Sequence, residues 1–377
     1  MITGPELLSR EYALYNYTED AIIFSRSPET KVEIASLTKI MTALLAIENN
    51  PDLQKTIVVT GDMLAWLNGF AVLGLQVGQT VTLNDLLYAT LLPSAADAAQ
   101  ALAISTAGSI DAFVNMMNEK ATALGLYDTT FTDATGGRDF STASDLINLL
   151  KYALNNPIFR QIFETNEYYI NSMGQKIIKT TAETAQKYGL DISRIAGSKT
   201  GFTYSAGRCL ISEADLDGTN FIMVVLGNPE NSVSHITDTI TTYNYFADNY
   251  AYRKILDAGQ VIYEIPVRDS FQKSYNVTAP EEVVLYLRND LDLESLAISY
   301  IGDQELTRED AGKTELGKIQ VADGDEILYE TEVKLNQEIS YFHYEVWAAG
   351  AGIVVGVALL VIALAVRRKK LRRRSGD

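Results

Sequence analysis

This chain of 377 residues has a single cysteine and only two histidines. A lone Cys209 excludes an internal disulfide and any cysteine-built zinc or iron-sulfur centre, so packing alone must hold the fold. A Ser-His-Asp hydrolase would have to recruit His235 or His343, and His343 lies just before a long apolar run, so the usual triad is not expected. Positive charge is also scarce. Lys and Arg number 31 against 48 Asp and Glu, a net charge of −17. The last eleven residues, RRKKLRRRSGD, hold seven basic groups and one acid, so the body upstream is more acidic still. Such a body repels phosphate backbones, which argues against nucleic-acid binding. No Gly-rich phosphate loop, repeat or low-complexity linker is present.

What the chain does have is one long uncharged run, Ala348 to Val366, close to the roughly 20 residues a helix needs to cross a bilayer. Tyr341, Tyr344 and Trp347 precede it like an interfacial aromatic belt and the basic cluster follows it. The reading is a juxtamembrane linker over 341–347, a transmembrane helix over 348–366 and a cytoplasmic tail over 367–377, with the rest of the chain outside the cell. Export calls for a leader, and MITGPELLSREY has neither an apolar stretch nor a small-residue cleavage site. The start is therefore read as truncated or misassigned.

Upstream, 47% hydrophobic and 21% charged residues describe a globular chain long enough for one large domain and a smaller one. YALYNY and AIIFSRS predict two strands around a TED turn. Residues 50–160 are mostly helical in pattern, and AGRCLISEAD and TNFIMVVLGN predict a hairpin turning at Asp217-Gly218. SHITDTITTYNYFADNYAYRKIL predicts a helix that closes the first domain, over 1–255. From 256 to 340 short β-rich runs separated by acidic and Gly turns predict a small β-sandwich.

The chemistry is expected from three short stretches. In EIASLTKIMTALLAIENN, Ser36 and Lys39 sit three apart at the start of an apolar helical run, and residues at that spacing share a helix face. A serine hydroxyl needs a base, and an amine serves as one when burial or a neighbouring cation lowers its pKa. The bland alternative is a capping serine and a solvated lysine. SFQK, Ser270 to Lys273, repeats the spacing, but in a stretch read as strand, where those side chains point apart. In GSKTGFTYSAG, Lys199 and Thr200 can bind a carboxylate and supply a second cation for Lys39, while Gly201 permits close backbone approach. In LLPSAADAAQ, Ser94 follows a helix-breaking Pro93 and reads either as a proton relay or as a helix cap.

Taken in order, Ser-x-x-Lys, Ser-x-x and Lys-Thr-Gly resemble the penicillin-recognising serine enzymes, and more narrowly the low-molecular-mass penicillin-binding proteins that are D-alanyl-D-alanine carboxypeptidases. ASLTKIMTALLA, LLPSAADAA, FTDATGG with FSTASDL, and GSKTGFTYSAGRCLI carry the resemblance over residues 11 to 250, and AGQVIYEIPV onward is similar to the family's small β domain. It implies an α/β transpeptidase-like domain with an antiparallel sheet flanked by helices. It also implies acylation of Ser36 by the penultimate D-Ala carbonyl of a peptidoglycan stem peptide, with Lys39 as base and Ser94 as relay. Lys199 and Thr200 would hold the terminal carboxylate, and the N–H groups of Ser36 and Phe202 would form the oxyanion hole beside Gly201. β-Lactams would be covalent inhibitors, and no metal or organic cofactor would be needed. One departure stands out: the family's middle motif ends in Asn, and here the position is Ala96, followed by Asp97, which is read as a cap or partner within its own helix. Arg208 is read as a surface or structural arginine. Two alternatives remain, a β-lactamase-like hydrolase and a non-catalytic penicillin-binding sensor or scaffold. EYYIN, Glu167 to Asn171, spells a lactamase-type Glu-x-x-x-Asn but sits in a hairpin-like stretch.

Overall fold

The computed structural model describes residues 2–342 and 344–374; His343 and the last three residues of the basic tail lie outside the described residues. The chain divides into two compact units, Met1–Tyr250 and Ala251–Asp377.

The first unit is built on a five-stranded antiparallel sheet of Glu11–Asn16 (β1), Ala21–Arg26 (β2), Gly197–Thr203 (β3), Gly207–Leu216 (β4) and Thr219–Asn228 (β5), in the order β2-β1-β5-β4-β3. The hairpin between β4 and β5 turns at Asp217 and Gly218, both at positive φ, which suits a tight right-twisted connection. Both faces of this sheet are covered. Ser212 meets Tyr243 of the helix Ser234–Asn249, whereas its neighbour Glu213 points the other way and meets Arg160 of the helix Pro157–Glu164. Alternation along β4 thus places helices on opposite sides.

Beside the sheet a lobe of helices is formed by Lys39–Asn49 (α1), Leu83–Leu91 (α2), Ala96–Ala107 (α3), Ile110–Ala123 (α4), Ala143–Leu154 (α5) and Thr180–Tyr188 (α7), while the two helices on the sheet faces, Pro157–Glu164 and Ser234–Asn249, are α6 and α8. All residues of α1 from Lys39 to Ile47 are buried, the signature of a core helix rather than an amphipathic surface one. It packs against α2, α3, α4, α5 and α6, and so fixes its own first turn in the middle of the lobe.

Three readings from the sequence change. Within 50–160, residues 50–82 are largely irregular, with the short pair Thr56–Val58 and Thr80–Thr82 and a 3-10 turn at Asp62–Leu64. The helix predicted through Leu256 ends at Asn249, and Tyr250–Leu256 is a strand, as its β-branched and aromatic content allows. Ser270 and Lys273 lie in a turn rather than a strand: Lys273 Nζ donates to the Ser270 carbonyl at 3.3 Å, while Ser270 Oγ donates to Ser340 O at 2.8 Å. The conclusion that this copy of the spacing forms no hydroxyl-amine pair stands on different geometry.

The second unit has its own apolar core, including Ile265, Val277, Ile319 and Val321, enclosed by short sheets such as Val261–Pro266 with Ser274–Thr278 and the three strands Ala297–Gly302, Glu315–Asp323 and Glu326–Lys334. It ends in the helix Tyr344–Arg374 (α9). Within it Gly350–Lys370, of mean hydropathy 2.4, is the one helix among the described residues that is long and apolar enough to cross a membrane.

Candidate active site

Ser36 lies in a 3-10 turn, Ala35–Thr38, that runs directly into α1 at Lys39. Side chains three apart eclipse in a 3-10 helix, so hydroxyl and amine are stacked. Lys39 Nζ is 2.8 Å from Ser36 Oγ and 2.7 Å from the Thr135 carbonyl. Lys39 is fully buried and Ser36 only partly so, which leaves the hydroxyl open to a ligand and shuts the amine away from water. Burial pulls the Lys39 amine down to about 7, against the opposing pull of Asp133, Asp139 and Asp97. The expectation that Lys199 also acts on Lys39 as a second cation is corrected, since burial alone lowers that amine and the other groups acting on it are carboxylates. Mutual repulsion between the amines shows at Lys199, held well below the ordinary lysine range by burial first, then Lys39 and Lys179.

Neither serine is a helix cap. The residue before α1 is Thr38 and that before α3 is Ala95, and neither helix start has a side-chain cap. Ser94 instead sits at φ +64°, a left-handed conformation uncommon for serine, and accepts from Lys199 Nζ at 2.8 Å. Ala35, beside the nucleophile, is left-handed too, at φ +48°. Non-glycine strain of this kind gathers at functional sites, where the surroundings hold it in place.

Glycine is required at two points where backbones touch. A Cβ on Gly201 would stand 3.0 Å from the Ile34 carbonyl oxygen and 3.1 Å from Ser36 N, so β3 lies directly against the turn that carries Ser36. On the other side, a Cβ on Gly136, whose φ is +95°, would come within 2.0 Å of the Ala35 carbonyl oxygen. The turn of Ser36 is held between these two chains. Lys199, sharing a face of β3 with Gly201, also donates to the Thr200 carbonyl at 2.6 Å. Thr200 is half-buried, and Phe202 is exposed at the rim with the Arg208 guanidinium 5.1 Å from its ring centre. Arg208 Nε donates to the Glu230 carbonyl at 2.7 Å, in keeping with a structural arginine.

The loop Asp133–Gly137 carried no assigned role in the sequence reading, yet it supplies the Thr135 carbonyl that holds Lys39. Asp133 shapes it by accepting from the N–H groups of Thr135, Gly136 and Gly137 at 2.6, 2.7 and 2.9 Å. Asp139, fully buried, accepts from Thr38 Oγ1 and from Thr132, and burial together with Asp133 pushes its carboxyl up to about 6. Asp-Ala-Thr-Gly-Gly is a loop-forming signal, but the distant Lys39 that gives this loop its purpose is not legible locally. Asp97 also differs from its expected role. Besides the N–H of Ala98 it accepts from Leu73, Gly74 and Leu75, at 2.8, 2.9 and 3.0 Å, so it fastens the preceding loop to α3. Ala96 is fully buried with its N–H on the Ala71 carbonyl, so this position has no side-chain amide with which to orient a substrate. Glu167 lies on a hairpin, paired with Lys176, away from a catalytic setting.

Residues 2–230 match the family model for D-alanyl-D-alanine carboxypeptidase. The chain belongs to that family. Among curated relatives, a D-alanyl-D-alanine endopeptidase of Pseudomonas aeruginosa is 30% identical over 68% of this chain and 79% of its own length. The carboxypeptidase DacF of Bacillus subtilis is 24% identical over 84% and 82%. Among solved structures, the carboxypeptidase DacD of Francisella tularensis superposes with a TM-score of 0.72 at 19% identity, covering 90% of this chain and 95% of its own, a likeness of fold. The Streptomyces K15 DD-transpeptidase gives 0.58 at 28% identity over 65% and 98%. The fold is that of the penicillin-binding proteins, and the chain is a serine-type peptidase, a hydrolase acting in the cell wall.

Proposed function

We propose that this D-alanyl-D-alanine carboxypeptidase homologue removes the terminal D-Ala from peptidoglycan stem peptides through an ester on Ser36. The observation that carries the reading is the 2.8 Å contact between Ser36 Oγ and a lysine amine buried completely and brought down to about 7. An amine so placed is neutral often enough at physiological pH to take the hydroxyl proton. Ser36 Oγ then bonds to the penultimate carbonyl carbon and the carbonyl electrons move onto oxygen. That oxygen would be met by the N–H groups of Ser36 and Phe202, a donor pair in which each member is worth on the order of 3 kcal/mol. On collapse, the proton passes to the departing D-Ala nitrogen by way of Ser94, and water later cleaves the ester. Lys199 and Thr200 would hold the terminal carboxylate. Gly201 keeps β3 close enough for all of this to share one cleft. β-Lactams would acylate the same serine.

The endopeptidase names among the relatives favour a second reading in which the departing amine belongs to another peptide rather than to free D-Ala. The chemistry at Ser36 is unchanged in that case. The second unit, read as a stalk, and α9, read as an anchor with its C-terminus in the cytoplasm, would set the site outside the membrane at the height of the wall. Intact-mass measurement after incubation with a penicillin tests the nucleophile: the adduct is expected on the wild type and absent from Ser36→Ala, and an adduct retained by that variant would end the assignment.

A further inference from the structure

A third buried lysine lies next to the site and has no part in the chemistry above. Lys179, 2% exposed, directs Nζ at two backbone carbonyls, those of Phe163 and, at 3.2 Å, Ser198. Phe163 is in the last turn of α6, and Ser198 immediately precedes Lys199 on β3. Gly197 leaves no room between these elements, since a Cβ there would stand 2.5 Å from the Phe163 ring.

The next two residues reach the other half of the site. Thr180 donates from both N and Oγ1 to the Leu92 carbonyl, at 3.1 and 3.2 Å, two residues before Ser94. Thr181 Oγ1 accepts from Ser198 Oγ at 2.9 Å. Three consecutive residues therefore bond the turn that carries Ser94 on one side and the strand that carries Lys199 on the other, and Lys199 Nζ spans the gap to Ser94 Oγ at 2.8 Å.

We infer that Lys179 is a positioning residue: with Thr180 and Thr181 it straps the Ser94 turn to β3, and its charge acts on Lys199 to set how readily that amine holds the proton with which it meets an anionic substrate. The inference rests on Lys199 as the carboxylate-binding group. The charged groups that face Lys199 are Lys39 and Lys179, both repelling its proton. Those that face Lys179 are Glu164 on α6 and Glu213 on β4, besides Lys199 itself. Glu213 is already engaged by Arg160 at 3.1 Å, and no carboxylate among the described residues forms an ion pair with Lys179. Its charge is therefore only partly cancelled. Burial draws the Lys179 amine down to about 7, and Lys199 is held well below the ordinary lysine range by burial first and then by Lys39 and Lys179, so a charge on Lys179 bears directly on the Lys199 proton.

The test is the pH profile of kcat/KM on the full chain, for a peptide ending in D-Ala-D-Ala and for its C-terminal methyl ester. A limb seen with the free carboxylate and missing with the ester reports the proton on Lys199. Lys179→Met removes the neighbouring charge and is expected to move that limb to higher pH by roughly one unit. Lys179→Arg keeps a permanent charge and is expected to leave the limb in place or move it lower. A purely structural lysine would lower the rate at every pH in both variants and move the limb in neither, which would overturn the inference. If Lys179→Met does not fold, a Lys179→Arg limb moved to higher pH overturns it as well. If acid and ester give the same limbs in the wild type, the role of Lys199 fails instead, a different outcome from a failure at Lys179.

Discussion

At the scale of single residues, the account turns on groups whose surroundings contradict their ordinary chemistry. Lys39 in the folded chain sits near 7 rather than 10.5, so the neutral amine gains ground as pH rises through that value. The rate of Ser36 acylation by a penicillin is expected to climb across neutrality, checked by stopped-flow or quenched mass measurements, and a rate that falls through that range would contradict a lysine base. The same shift has a sign for stability. The unfolded chain binds more protons than the folded one between about 7 and 10.5 at Lys39 and Lys179, so both carry a stability cost that is relieved as pH rises through this window. Thermal melts should therefore show a larger alkaline gain for the wild type than for Lys179→Met. Gly201→Ala sets a methyl 3.1 Å from Ser36 N, tight enough to displace the nucleophile by tenths of an ångström. Acylation is expected to slow by about 10-fold to 100-fold with little change in melting temperature. Gly136→Ala, which meets backbone at 2.0 Å from a left-handed residue, is expected to destabilise the unit by roughly 2 kcal/mol or more, measured by denaturant unfolding.

At the scale of elements, the site is an edge strand, a 3-10 turn and three loops drawn to one point by α1. How much of this was legible differs with the range of the interaction. The spacing of Ser36 and Lys39 and the hairpin at Asp217-Gly218 depend on neighbours in sequence, and the fold holds them as read, whereas Lys199, Thr200 and Gly201, expected just before a strand, lie inside one. The Asp133–Gly137 loop, the strap at Lys179 and the reach of Asp97 depend on partners that only the fold brings near, and periodicity carries no signal for them. The strand at Tyr250–Leu256 was missed because an apolar run continuing a helical pattern does not announce where it stops. Asp97 gives this scale its own prediction. Asp97→Ala leaves the N–H groups of Leu73, Gly74 and Leu75 without their acceptor, and a loss of about 1–3 kcal/mol is expected in unfolding experiments.

At the scale of the whole molecule, an acidic body is followed by an apolar helix and a basic tail, proposed above as an anchor. Removing residues 341–377 is expected to move the protein from the membrane fraction to the soluble one while leaving cleavage of a soluble peptide unchanged, read by fractionation and by rate. Loss of both together would contradict a tail that acts only as an anchor. Ala96 bears on the whole account, because the family's amide is missing where substrate would lie and the other motif residues stand in place. The measurement that tests the central claim most directly is D-alanine release from a stem-peptide mimic ending in D-Ala-D-Ala, by the wild-type chain and by Ser36→Ala. The account predicts release that the substitution abolishes in a protein that still melts cooperatively; no release from a folded wild type, or release that survives the substitution, would contradict it.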